Sequence, residues 1–151
     1  MDNYLRLDCS DFIKILDEHF ENNNEVKLRV TGNSMSPFLV DKRDYIFLSS
    51  FNGKPTKGDI LLYRRSQDKF VLHRVEKYDG KNIWFIGDAQ NYIEGPLTED
   101  CIIAVCKKVI RKGKTIEEKS FIWKLFSKVW IRIIFCRKAI IRFVSVFKNS
   151  H

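Results

Sequence analysis

Between residues 25 and 112 the apolar positions recur at every second residue. "EVKLRV" sets Val26, Leu28 and Val30 against charged neighbours, the pattern of a half-buried strand. "DYIFLSS", "GDILLYRR", "FVLHRVEKY", "NIWFIGD" and "CIIAVCKKVI" are further strand candidates, separated by Gly, Pro, Asn or Asp. Upstream the period is helical. Phe12, Ile13, Ile15, Leu16 and Phe20 have roughly helical spacing in residues 8–21, behind a Ser/Asp start signal, and "ENNNE" ends the run. Downstream of "RKGKT" the helical period returns and continues to the last residues. The pattern predicts a mainly β fold in three parts: a short amphipathic helix within 1–24, a β domain over 25–112, and a basic amphipathic helical tail over 113–151.

One turn predicts contacts. Asp79-Gly80 lies between two strand-like runs, a strong hairpin signal. With these two residues as the loop, Tyr78 faces Lys81, His73 faces Ile86 and Val71 faces Asp88. His73 and Asp88 then share a face as diagonal neighbours, with backbones about 7–8 Å apart.

"GNSMSP", Gly32 to Pro37, concentrates turn chemistry ahead of the second strand. Gly32 permits a tight reversal, Pro37 pushes Ser36 towards an extended conformation, and Met35 can anchor the turn in the apolar layer. A nucleophilic serine needs a base and a place for the oxyanion, and such a turn can aim backbone N–H groups at a reacting carbonyl. Taken singly, Ser34 reads as a turn residue, His73 as a strand residue and Asp88 as a turn carboxylate. Together they fill the three roles of a Ser–His–acid set. His19, on the N-terminal helix, and His151, at the end of the chain, are poor rivals to His73.

"GNSMSPFL" resembles the G-x-S-M-x-P-x-L nucleophile box of type I signal peptidases and their relatives. "KGDILLYRR", "VLHRV" and "FIGDAQN" are similar to that family's following boxes, in the same order, so the likeness spans about residues 26–108. It implies the β fold shared by signal peptidases and SOS-repressor-type proteases, and a serine endopeptidase acting on leader or signal segments. By this likeness Ser34 is the nucleophile and His73 the general base, as in the endoplasmic-reticulum, archaeal and spore-former type, where bacterial-type members carry Lys. Asp88 matches one family aspartate, and Glu94 falls at a second, so either carboxylate could orient His73. Gly32 stands where some members have a serine that helps bind the oxyanion. The oxyanion site would then be the Ser34 backbone N–H with Thr31 or Asn33. A self-cleaving regulatory module of the SOS-repressor type, or a non-catalytic membrane-surface binding protein of the same fold, are the alternatives.

Charge adds a partner. The 151 residues carry a net charge of +8, which suits nucleic acid or an anionic membrane surface. Much of the excess lies in residues 121–147, where Lys124, Lys128, Arg132, Lys138 and Arg142 share one arc at helical spacing and Arg137 alone falls off it. The wider face carries Phe121, Trp123, Phe126, Trp130, Ile133, Ile140, Ile141 and Phe147. Five or six charges at up to about 2.5–3.5 kcal/mol each outweigh apolar residues contributing roughly −0.3 to −0.6 each, so spanning is disfavoured. A helix lying in the interface fits, with Trp123, Lys124, Lys128, Trp130, Arg132 and Arg142 as its membrane contacts, the cytoplasmic face favoured and no nucleic-acid partner expected. A helix folded back on the domain, or one pairing with a partner, is the plainer option. The N-terminus lacks a basic segment followed by an apolar one, so no secretory signal is expected. Cys9, Cys101, Cys106 and Cys136 form no CxxC pair, and no metal or cofactor is implied.

Overall fold

The structure is a computed structural model that describes residues 9–66 and 69–148. Residues 1–8, read above for a signal, and His151 lie outside the described residues. So do the side chains of Lys138, Ser145 and Phe147.

Helix α1 (Cys9–Glu21) buries Leu16 and packs Phe12 and Phe20 against the core. The strands are β1 (Val26–Arg29), β2 (Tyr45–Ser49), β3 (Ile60–Ser66), β4 (Lys69–Tyr78), β5 (Asn82–Ile86), β6 (Glu94–Thr98), β7 (Ile102–Arg111) and β8 (Lys114–Glu117). They form one antiparallel sheet in the order β1-β2-β7-β3-β4-β5-β6, with β8 also on β7. The mainly β fold read from the period of two is the observed one. Two strands escaped that reading. "EGPLT" of β6 has only Leu97 as an aliphatic side chain and contains a proline, and β8 is a four-residue strand after the Lys112-Gly113 reversal. The sheet therefore continues past residue 112 to Glu117.

β3 explains how the sheet buries both faces. Ile60 and Leu62 join Leu16, Met35, Phe38 and Leu39 on one side, while Leu61 and Tyr63 join Val75, Phe85 and Val105 on the other. An uninterrupted apolar run is what a strand covered on two sides requires.

The β4–β5 hairpin corrects the predicted register. Asp79 does not sit in the two-residue loop. Its N–H donates to the Asn82 carbonyl (3.2 Å), and its carboxylate accepts the N–H groups of Lys81 (3.0 Å) and Asn82 (2.7 Å). That side-chain turn moves the reversal one residue onward, to Gly80 and Lys81. Tyr78 thus faces Ile83 rather than Lys81, and a bulge between Val75 and Lys77 then changes the count by one, so Arg74 faces Ile86. The net slip is one residue, which turns His73 to the face opposite Asp88.

The tail is not one continuous amphipathic helix. α2 (Phe121–Lys124) runs into a π-helical turn at Leu125–Val129 and 3₁₀ turns at Trp130–Arg132 and Ile134–Cys136, with non-helical backbone at Ile133, before α3 (Arg137–Lys148). Its first half folds back on the domain. Trp123 and Phe126 pack on Phe38 with ring centroids 5.4 and 5.0 Å away, and the Trp130 indole N–H donates to the Asp88 carbonyl (2.8 Å). Trp123, expected to contact a membrane, is buried against the protein, and Trp130, also expected to do so, is half-buried there. Arg137, the cation off the predicted arc, is fully buried; it donates to the carbonyls of Gly87 (2.8 Å), Gln90 (3.0 Å) and Trp130 (3.1 and 3.0 Å). Lys124, Lys128, Arg132 and Arg142 are exposed. No helix among the described residues is long and apolar enough to cross a membrane.

Candidate active site

The Ser34 turn is held from below by its own neighbours. Met35, Phe38 and Leu39 are buried, and the Leu39 N–H donates to the Met35 carbonyl (2.8 Å), closing a helical turn beneath the serine. Gly32 has φ +81°, the left-handed region that glycine occupies without strain, and its N–H donates to Asp41 Oδ1 (2.9 Å). Arg111 clamps the far side by donating to the carbonyls of Pro37 and Phe38. Ser34 is left half-buried at the surface of this anchored turn.

The segment after β5 meets the turn from above. The Ala89 N–H donates to the Ser34 carbonyl (2.9 Å), and Gly87 packs so closely that a Cβ there would lie 2.5 Å from the same oxygen. Glycine at 87 is therefore a matter of space. The Gln90 side chain accepts from the Gly87 N–H (2.9 Å) and closes this loop.

Ser34 and His73 line one cavity of about 460 Å³, whose apolar walls include Leu28, Met35, Ile46, Leu62 and Phe70. Thr31 and Gln90 also line it, whereas Asn33 does not: its side-chain oxygen accepts the Asp41 N–H (3.4 Å). Of the oxyanion candidates, the cavity thus brings together Ser34 and Thr31.

His73 is 1% exposed, and burial pulls its imidazole down to about 4, with the Glu94 charge opposing that shift. It is therefore neutral near pH 7. Nδ1 lies 3.0 Å from the Tyr63 hydroxyl, and Nε2 is buried without a hydrogen-bond partner among the described residues. The Tyr63 hydroxyl also donates to Glu94 Oε2 (2.9 Å), which lies 3.9 Å from Nδ1. Arg65 in turn places both arms of its guanidinium on Glu94. Partial burial pushes the Glu94 carboxyl up, but the donors from Arg65 and Tyr63 outweigh it and hold the group below its usual value.

Asp88 lies elsewhere. It is fully buried, and Arg74 Nε donates to its two oxygens at 2.9 and 3.1 Å. Burial raises its carboxyl, an effect opposed by Arg74. The expected His73–Asp88 pair is replaced by an Arg74–Asp88 pair, because the one-residue slip puts Asp88 on the Arg74 face. Glu94, the other carboxylate singled out in the sequence, is the one on the His73 side: it faces Phe85 across the sheet, and the Phe85 ring stacks on Tyr63 at 3.9 Å.

Tyr63 and Arg65 were not among the residues singled out in the sequence. The one available signal was an aromatic hydroxyl directly after the buried aliphatic run Ile60–Leu62 of β3. Recognising its partner required the β3–β4 register, in which Leu61 faces His73 and Tyr63 faces Val71.

Among comparisons with known proteins, residues 2–110 match the model of the family described as Peptidase S24-like. At family level this supports a serine peptidase or a self-cleaving module of the SOS-repressor type. No curated protein matches the chain.

Proposed function

The chain belongs to the Peptidase S24-like family, and from that premise we propose that it is a serine endopeptidase in which Ser34 is the nucleophile and His73 the general base. The observation that carries this reading is the bare, buried Nε2 of a neutral His73 on the wall of the cavity that Ser34 also lines. Nε2 takes the Ser34 hydroxyl proton as Oγ attacks a peptide carbonyl. The resulting imidazolium gives that proton to the leaving amine, which departs and leaves an acyl-enzyme. Water then attacks the ester, Nε2 accepts and returns a proton, and the carboxyl product leaves Ser34. The Ser34 backbone N–H and Thr31 are the candidate donors to the oxyanion. Glu94, linked to His73 through Tyr63, serves as the acid in place of Asp88.

The apolar part of the cavity wall suits the small or apolar residues that precede the scissile bond in leader and signal segments, the substrate class of the signal peptidases that the sequence resembles. Peripheral association with an anionic membrane is part of this reading. Phe121, Leu125 and Val129 are exposed at helical spacing beside Lys124, Lys128 and Arg132. Incubation with leader-type peptides and with a fluorophosphonate, followed by mass spectrometry, tests the chemistry. Wild type should cut a peptide and gain the probe mass at Ser34, and Ser34→Ala should do neither. Absence of both reactions in a folded wild type would refute the proposal. The family match also favours a second reading, self-cleavage, in which the purified chain shortens on standing and Ser34→Ala does not.

A further inference from the structure

The chain of contacts behind His73 settles where its single proton must sit. Glu94 receives both arms of the Arg65 guanidinium, with Nε at 2.6 Å, and is thereby kept an ionised carboxylate, which can only accept hydrogen bonds. The Tyr63 hydroxyl, 2.9 Å from Glu94 Oε2, has one proton and must give it to that carboxylate. What Tyr63 can offer His73 across the remaining 3.0 Å is a lone pair. Nδ1 must therefore carry the imidazole proton, and in the neutral ring Nε2 is left with its lone pair free. The opposite tautomer would bury an N–H at Nε2, which has no partner among the described residues, and would need Tyr63 to withdraw its proton from Glu94.

We infer that Tyr63 is a positioning residue of the proposed peptidase, its hydroxyl selecting the Nδ1–H tautomer of His73 and thereby leaving Nε2 as the basic nitrogen of a ring that lines the Ser34 cavity. This inference rests on the reading of Ser34 and His73 as nucleophile and base. The same bridge serves after proton transfer. The imidazolium keeps its Nδ1–H on the Tyr63 oxygen, and its charge faces Glu94 at 3.9 Å. Tyr63 stays protonated throughout, because burial and the neighbouring Glu94 push its hydroxyl upward. A tyrosine thus separates base and acid, where a Ser–His–Asp set has direct contact between them. The groups around the imidazole are Tyr63 and Arg65 from β3 and Glu94 from β6, with Arg29 of β1 and Ser34 elsewhere in the cavity lining.

The test is a long-range ¹H–¹⁵N correlation of the His73 ring in the full chain at pH 7, for wild type and Tyr63→Phe. Phenylalanine keeps the ring that stacks on Phe85 and removes only the hydroxyl. Wild type should show a protonated Nδ1 and a lone-pair Nε2, and Tyr63→Phe a mixture of tautomers. An Nε2–H form or an imidazolium in the wild type overturns the inference. In parallel, the rate of Ser34 phosphonylation by a fluorophosphonate should fall on the order of 10- to 100-fold in Tyr63→Phe, uniformly with pH above the acid limb. Wild-type rate and wild-type pH profile in that variant would also overturn it. If wild type takes no probe at all, the peptidase reading fails, and the ring spectrum still decides the role of Tyr63.

Discussion

Replacing Asp88 with alanine separates a structural carboxylate from a catalytic one. Arg74 is fully buried, its Nη2 has no partner among the described residues, and its Nη1 donates only to the Gly58 carbonyl at 3.2 Å. The guanidinium carbon lies 4.8 Å above the Phe38 ring, so the group cannot reach water without unpacking the Ser34 turn. Without Asp88 this cation is left in a low-dielectric site with one neutral acceptor. Breaking a buried pair in this way costs about 3–5 kcal/mol, a large share of the roughly 5–15 kcal/mol that keeps a domain folded. Replacing both partners, as Arg74→Met with Asp88→Leu, removes the stranded charge and should recover much of that loss. Urea unfolding followed by tryptophan fluorescence gives the stabilities, and fluorophosphonate labelling of the folded fraction gives the reactivity of Ser34. The expected result is a large stability loss in Asp88→Ala with labelling within about tenfold of wild type. A variant that loses less than about 1 kcal/mol yet labels a thousandfold more slowly would show that Asp88 serves His73, and the assignment of the acid to Glu94 would be wrong.

Gly87→Ala places a methyl 2.5 Å from the Ser34 carbonyl oxygen and 3.0 Å from Gln90 Cδ, so it should cost about 1–3 kcal/mol and slow labelling by displacing the serine; unchanged stability and rate would contradict the close contact. Arg137→Met strands the carbonyls of Gly87, Gln90 and Trp130 and should cost about 3 kcal/mol, against no more than about 0.5 kcal/mol for the exposed Arg132→Met, both read from urea midpoints. Burial holds His73 at about 4 in the folded chain, below its ordinary 6.5, so between those values the unfolded chain binds more protons and stability rises with pH. About 3 kcal/mol present above pH 6.5 should therefore be lost as pH falls to 4. In His73→Gln that slope should flatten, and an unchanged slope would assign the loss to other groups.

The alternation of "EVKLRV" and the apolar run of "GDILLY" are local properties, and they determined the strands and the mainly β class, because a residue's burial in a sheet follows from its own parity. The Ser34 box was legible for the same reason: a tight turn is written in its own Gly, Asn and Pro. His73 was legible as the lone histidine in a strand, and Glu94 only through resemblance. What the tertiary structure alone decided was pairing. Asp79 made its own side-chain turn, a bulge between Val75 and Lys77 changed the count again, and the net slip of one residue passed Asp88 from His73 to Arg74. A sheet has a period of two, so an odd error in register reverses every face assignment beyond it. The tail shows the same limit. Its composition fits a membrane surface, yet Trp123 and Trp130 met Phe38 and the Asp88 carbonyl, because an apolar face written in the sequence does not name what will cover it. Tyr63 acquired its place only when β3, β4 and β6 converged, bringing a hydroxyl, an imidazole and a carboxylate from distant parts of the chain within hydrogen-bond reach.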